Sequence, residues 1–95
     1  MKILIVDDDR ELRELIGFAL RGAGYPVVEA GDGMEALRQH AAEKPDLVIL
    51  DINLPGIDGF EVCRRIRVEA DTPVMMLTVR SEEADQVRGL DLGAD

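Results

Sequence analysis

Carboxylates are the residues of this chain with chemistry to offer. Asp7, Asp8 and Asp9 follow the apolar run Ile3-Leu4-Ile5-Val6, and Asp51 closes a second run, Leu47-Val48-Ile49-Leu50. Carboxylates gathered within a few ångströms repel one another, so they must bind protons or surround a counter-charge. A divalent cation supplies that charge. Mg²⁺ is small and hard, takes oxygen ligands and keeps several waters. One or two of these side chains, a backbone carbonyl from the loop after Asp51 and an incoming phosphate oxygen would complete its octahedron. A plainer reading stands beside this one, in which Asp-Asp-Asp caps a helix and favours its dipole. Asp51 does not share that reading, because Pro55-Gly56 and Asp58-Gly59 separate it from the next helical segment. Thr78 adds a hydroxyl after Pro73-Val74-Met75-Met76-Leu77, although threonine is also an ordinary strand former.

Positioning these groups falls to an alternation of short β-branched runs and amphipathic segments. The unbroken apolar runs 3–6 and 47–50 read as strands buried on both faces. Leu12, Leu15, Ile16, Ala19 and Leu20 lay an apolar stripe along a first helix, which Asp8 or Asp9 can start and Gly22 and Gly24 can end. Pro26 to Ala30 gives a second strand. Asp32-Gly33-Met34-Glu35 resembles a capping box, opening a helix with Met34, Leu37 and Ala41 inward and Lys44-Pro45 at its end. A loop of turn formers, 53–59, precedes a third helix with Phe60, Val62, Cys63 and Ile66 inward. Residues 73–77 give a fourth strand, and Ser81 caps a fourth helix carrying Ala84, Val87 and Leu90.

This βαβαβαβα pattern predicts an α/β fold, a doubly wound parallel sheet between two helical layers. In the flavodoxin-like order 2-1-3-4-5, strands 1 and 3 are neighbours at the topological switch point, where ligands bind beyond the strand ends. Asp7, Asp8 and Asp51 would then meet there. A four-stranded sheet ending on an open edge is unusual, so residues 1–95 read as one domain lacking a fifth strand and helix.

Composition bounds the function. A net charge of −9 argues against this domain itself gripping a nucleic-acid backbone. The single cysteine, Cys63, excludes an internal disulfide and points to a reducing cytoplasm. The apolar run at 3–6 is too short for a signal peptide or a membrane span, so no membrane partner is expected. With Phe18, Tyr25 and Phe60 the only aromatics, the core must be aliphatic.

Val6-Asp7-Asp8-Asp9, the segment from Asp51 through Asn53-Leu54-Pro55-Gly56-Ile57-Asp58-Gly59, Pro73 to Thr78, and Gly93-Ala94-Asp95 together resemble, in order and spacing, the receiver domains of bacterial two-component response regulators. The resemblance runs the length of the chain. It implies a CheY-like fold and a signalling domain rather than an enzyme. Asp51 would accept a phosphoryl group from a sensor histidine kinase. Asp7, Asp8, Asp51 and the Asn53 backbone carbonyl would hold Mg²⁺, and Thr78 would sense the phosphoryl group. Asn53 and Arg80 would tune its lifetime. Receivers also carry a lysine at the end of the fifth strand, which a chain ending at Asp95 does not contain; Lys2 and Lys44 do not replace it by position. Residues 85–95 resemble the winged-helix class of regulators. That implies a homodimer through the fourth-helix face when phosphorylated, with Arg88, Asp91 and Asp95 as interface candidates, and contact with DNA only through an output domain outside this chain. His40 and Cys63 are expected to be structural or surface residues.

Two other classes fit less well. An aspartyl phosphohydrolase calls for a second acid two residues after its nucleophile, where Asn53 stands. A flavin domain calls for a hydroxyl- and Gly-rich phosphate loop after strand 1, where three aspartates would repel the ligand.

Overall fold

The computed structural model describes residues 1–77. Four strands, β1 (Ile3–Val6), β2 (Val27–Ala30), β3 (Leu47–Asp51) and β4 (Val74–Leu77), alternate with three helices, α1 (Arg10–Gly22), α2 (Gly33–Glu43) and α3 (Gly59–Glu69). The sheet is parallel with order β2-β1-β3-β4, the flavodoxin-like arrangement over these strands. Ser81, the fourth helix, Thr78, Arg80 and the interface candidates Arg88, Asp91 and Asp95 lie outside the described residues.

Strand alternation divides the core in two. Leu4, Val6, Val48, Leu50 and Val74 point to one face, where Ala36 of α2 and Val62, Cys63 and Ile66 of α3 close over them. Each large aliphatic side chain fully buried there stabilises the fold by about 1.5–3 kcal/mol. Ile3 and Ile5 point the other way. In register with Ile5 stands Glu29, whose carboxylate meets Arg13 and Arg21 of α1. Thus α1 covers the second face and the domain has three layers.

Local signals start and stop the helices. Asp9 caps α1, its side chain accepting from the Leu12 amide at 3.2 Å. At the other end, Tyr25 donates its amide to the Leu20 carbonyl and Gly24 to that of Arg21, each at 3.0 Å. Gly24 takes the φ of +97° this double cap requires. Asp32 and Asp58 cap α2 and α3 through the amides of Glu35 and Glu61. Lys44 ends α2 in the left-handed region.

The inward faces of two helices differ from the sequence reading. On α2 the buried positions are Gly33, Ala36 and His40, with Leu37 packed beside them, while Met34 and Ala41 are exposed. Close approach is the reason: a Cβ on Gly33 would lie 2.5 Å from Ile57 Cγ1 and 2.8 Å from Val62 Cγ2. Only small residues let the helix sit that near. On α1, Leu12, Ile16 and Leu20 are half-buried and Gly17 is buried, but Leu15 is 64% exposed and Ala19 is also exposed. There the helix is turned so that Gly17 leaves room for the Glu29 carboxylate; a Cβ at 17 would meet its Oε2 at 3.4 Å.

Candidate cation and phosphoryl site

The two β-strands that carry the acids are hydrogen-bonded neighbours, Val6 standing beside Leu50. The next residue on each is an aspartate, and both are buried, Asp7 at 3% exposure and Asp51 at 8%. Asp8 follows on the loop to α1 and is exposed. One carboxylate oxygen from each of Asp7, Asp8 and Asp51 lies within 4.8 Å of the others. The sheet thus brings together three of the predicted ligands. Asp9 is directed elsewhere, into the α1 cap, and its amide donates to Asp7 Oδ1 at 2.9 Å. Asp51 Oδ1 accepts from the Asn53 amide at 3.0 Å. Each buried acid is therefore oriented by the backbone two residues on.

The loop after β3 is drawn tight beneath Asp51. Gly59 donates its amide to the Ile52 carbonyl at 3.1 Å, and a Cβ on Gly59 would stand 2.5 Å from the Asp51 carbonyl oxygen. That approach requires glycine, for a reason of contact that the sequence reading, which took it as a turn former, did not supply.

Like charges crowd the site. Burial raises the Asp7 pKa above its ordinary value; the hydrogen bond from Asp9 works against this, and the charges of Asp51, Asp8 and Asp9 add to the rise. The donors are all hard carboxylate oxygens, and around Mg²⁺ neighbouring oxygens lie about 3–4 Å apart. The cluster fits such an ion directly, or in part through water. Lys2 is no counter-charge to it, being paired with Glu43 at 3.0 Å, at the end of β1 away from Asp7.

Reasoning from sequence missed Arg13. Its Nη1 donates to the Asp7 carbonyl at 2.7 Å and its Nε to Glu29 Oε1 at 3.0 Å. The signal was available as one acid, Glu29, inside an otherwise apolar strand. His40, expected to be structural, is buried with Nε2 3.0 Å from Thr72 Oγ1. No helix among the described residues is long and apolar enough to cross a membrane.

Comparison with known proteins agrees with this geometry. The chain matches the family described as response regulator receiver domain over residues 3–95. It is 48% identical over 95 residues to the alkaline phosphatase synthesis transcriptional regulatory protein PhoP of Bacillus subtilis, covering 99% of this chain and 40% of that protein. It thus spans about two fifths of that relative's length. Among solved structures it resembles the BeF3-activated N-terminal receiver domain of Klebsiella pneumoniae RstA, with TM-score 0.93 and 39% identity over 99% of this chain and 80% of that one. It also resembles the chemotaxis protein CheY4 of Vibrio cholerae, with TM-score 0.89 and 35% identity over 98% and 80%. With these likenesses and the strand order β2-β1-β3-β4, the fold is CheY-like. The chain belongs to the response regulator receiver domain family, whose members are signalling domains of two-component systems.

Proposed function

We propose that Asp51 accepts a phosphoryl group from a sensor histidine kinase and that the acyl phosphate then changes the affinity of this domain for its partners. The observation that carries the reading is the meeting of Asp7, Asp8 and Asp51 at the carboxyl ends of β1 and β3. With Oδ1 engaged by the Asn53 amide, Asp51 Oδ2 has no partner among the described residues and is the oxygen free to attack. In the transfer that oxygen forms a bond to phosphorus as the phosphorus–nitrogen bond of the phosphohistidine breaks. The imidazole leaves with the bonding pair and takes up a proton. Asp7 and Asp8, with Asp51 and the Asn53 carbonyl, would hold Mg²⁺. When bound, the ion neutralises charge on the phosphoryl oxygens. Asp7, fixed by the Asp9 amide, supplies a ligand that needs no reorganisation.

Thr78, one residue beyond β4, would turn its hydroxyl to the phosphoryl group, and Asn53 and Arg80 would tune its lifetime. Arg88, Asp91 and Asp95 are the proposed contacts of a phosphorylation-dependent homodimer. Control of transcription would run through an output domain outside these residues, in the cytoplasm. The domain would assist its own phosphorylation and dephosphorylation rather than turn over a separate substrate.

The test is phosphorylation by acetyl phosphate with Mg²⁺, read by intact mass. The unaltered protein should gain one phosphoryl group and Asp51→Asn none; undiminished labelling of Asp51→Asn would falsify the assignment.

A further inference from the structure

Arg13 lies at the junction of three elements and is used by none of the chemistry above. Its side chain is only 17% exposed, and that of Glu29 only 23%. Glu29 Oε1 accepts from Arg13 Nε at 3.0 Å, and Glu29 Oε2 meets Arg21 Nη2 at 3.3 Å, so the carboxylate is gripped from both sides. The same guanidinium also reaches the end of β1, where its Nη1 donates to the Asp7 carbonyl at 2.7 Å. Two glycines keep the space open. A Cβ at Gly31 would come within 3.3 Å of Arg13 Nη1, and one at Gly17 within 3.3 Å of Arg21 Nη1.

The carbonyl so held belongs to the peptide unit joining Asp7 to Asp8. A peptide is planar, so fixing its oxygen fixes the direction in which the chain enters Asp8. Asp7 is already held at its other groups: its amide donates to the Ala30 carbonyl at 3.1 Å and its Oδ1 accepts from Asp9. Asp8 has no such support. It is exposed, no hydrogen bond among the described residues holds its carboxylate, and yet that carboxylate reaches the cluster. A charge-assisted bond of this length is strong enough to select one loop arrangement over others.

We propose that Arg13, anchored on Glu29, is a positioning residue that aims the Asp8 carboxylate at Asp7 and Asp51 through the Asp7 peptide. The inference rests on reading those three acids as the cation site and assigns Arg13 no contact with the ion. β2 thereby acts on a site to which it contributes no ligand.

A double-mutant cycle decides it, with Mg²⁺ alone as the probe and binding followed by calorimetry. Arg13→Met should weaken Mg²⁺ binding about tenfold, the size of one lost charged hydrogen bond. In an Asp8→Ala background the same change should cost almost nothing, because the side chain being aimed is gone. Equal losses in both backgrounds would mean that Arg13 only stabilises the fold, and would overturn the proposal. Should Arg13→Met unfold, Glu29→Gln takes its place in the cycle, with the same two outcomes.

Absence of saturable Mg²⁺ binding in the unaltered protein is a different failure, that of the cation-site reading itself. Arg13 is then judged without metal, by hydrogen exchange at the Asp9 amide that bonds Asp7 Oδ1. Exchange about tenfold faster in Arg13→Met, with the Val48 amide unchanged, supports the positioning role; equal protection at Asp9 overturns it.

Discussion

At the scale of single residues, the three aspartates in a row divide their labour. Asp9 caps α1, Asp7 is buried beside Asp51, and Asp8 reaches in from the surface. Sequence left open whether Asp8 or Asp9 made the cap, because either has the right side chain one or two residues before the helix. The structure gives the cap to Asp9, whose side chain accepts from the Leu12 amide, while Asp8 turns to Asp7 and Asp51, a division that residue type alone does not reveal. Burial and neighbouring charge raise the Asp7 pKa, so the native state binds that proton more tightly than the unfolded chain. Its contribution to metal-free stability is complete below the ordinary value of 3.8 and is lost as pH rises through the raised one. Asp7→Asn keeps the oxygen that accepts from Asp9 and removes the charge. It should therefore raise the melting temperature of the metal-free protein at neutral pH while weakening Mg²⁺ binding at least tenfold. Calorimetric melts with and without Mg²⁺ check both signs; a lowered metal-free melting temperature would refute the account of Asp7.

Elements were legible where local rules act alone. β1 and β3 were plain from their unbroken apolar runs, and the cap at Asp32 sits where its capping box placed it, whereas the cap at Asp58 had been read only as part of a turn. What sequence did not give was the rotation of α1 and α2, which depends on how near a neighbour comes. Met34 is a better core residue than Gly33 by hydrophobicity, yet Gly33 is the one against Ile57 and Val62. The same closeness governs the entry to α3, where Gly59 lies against the Asp51 carbonyl. Gly59→Ala should cost about 1–3 kcal/mol in urea denaturation, as overpacking does elsewhere. It should also lower the rate of Asp51 phosphorylation, and a variant with native stability and rate would show that the loop yields freely. A second tether joins α2 to the segment before β4, through His40 and Thr72. Burial lowers the His40 pKa, with Glu69 opposing. The neutral ring is thus favoured in the fold, and stability is complete above pH 6.5 and lost as pH falls through the lowered value. His40→Gln should flatten that part of a stability–pH curve, a change read from melts between neutral and mildly acidic pH.

For the molecule as a whole, charge and metal are linked. The chain carries a net charge of −9, and three of its acids are pressed together at one rim. A ligand that binds only the folded state stabilises it by about 2.7 kcal/mol at a hundredfold excess over its Kd. In a domain of this size each kcal/mol raises the melting temperature by about 4–8 °C. Mg²⁺ should therefore raise the melting point well beyond NaCl of equal ionic strength, and Asp8→Ala should remove most of the difference. An equal rise with both salts would mean general screening of charge and no site.

The placement of Asp7 and Asp51 on adjoining strands also has a kinetic meaning. β1 and β3 pair although more than forty residues separate Val6 from Leu50 along the chain, and closing so long a loop is slow and entropically costly. No ion can find its ligands until that closure has happened. If the strands join only after the rate-limiting barrier, Mg²⁺ will slow unfolding and leave the refolding rate untouched; if they join before it, refolding will quicken. Mg²⁺ held by these acids would then serve as a clock for the meeting of the two strands.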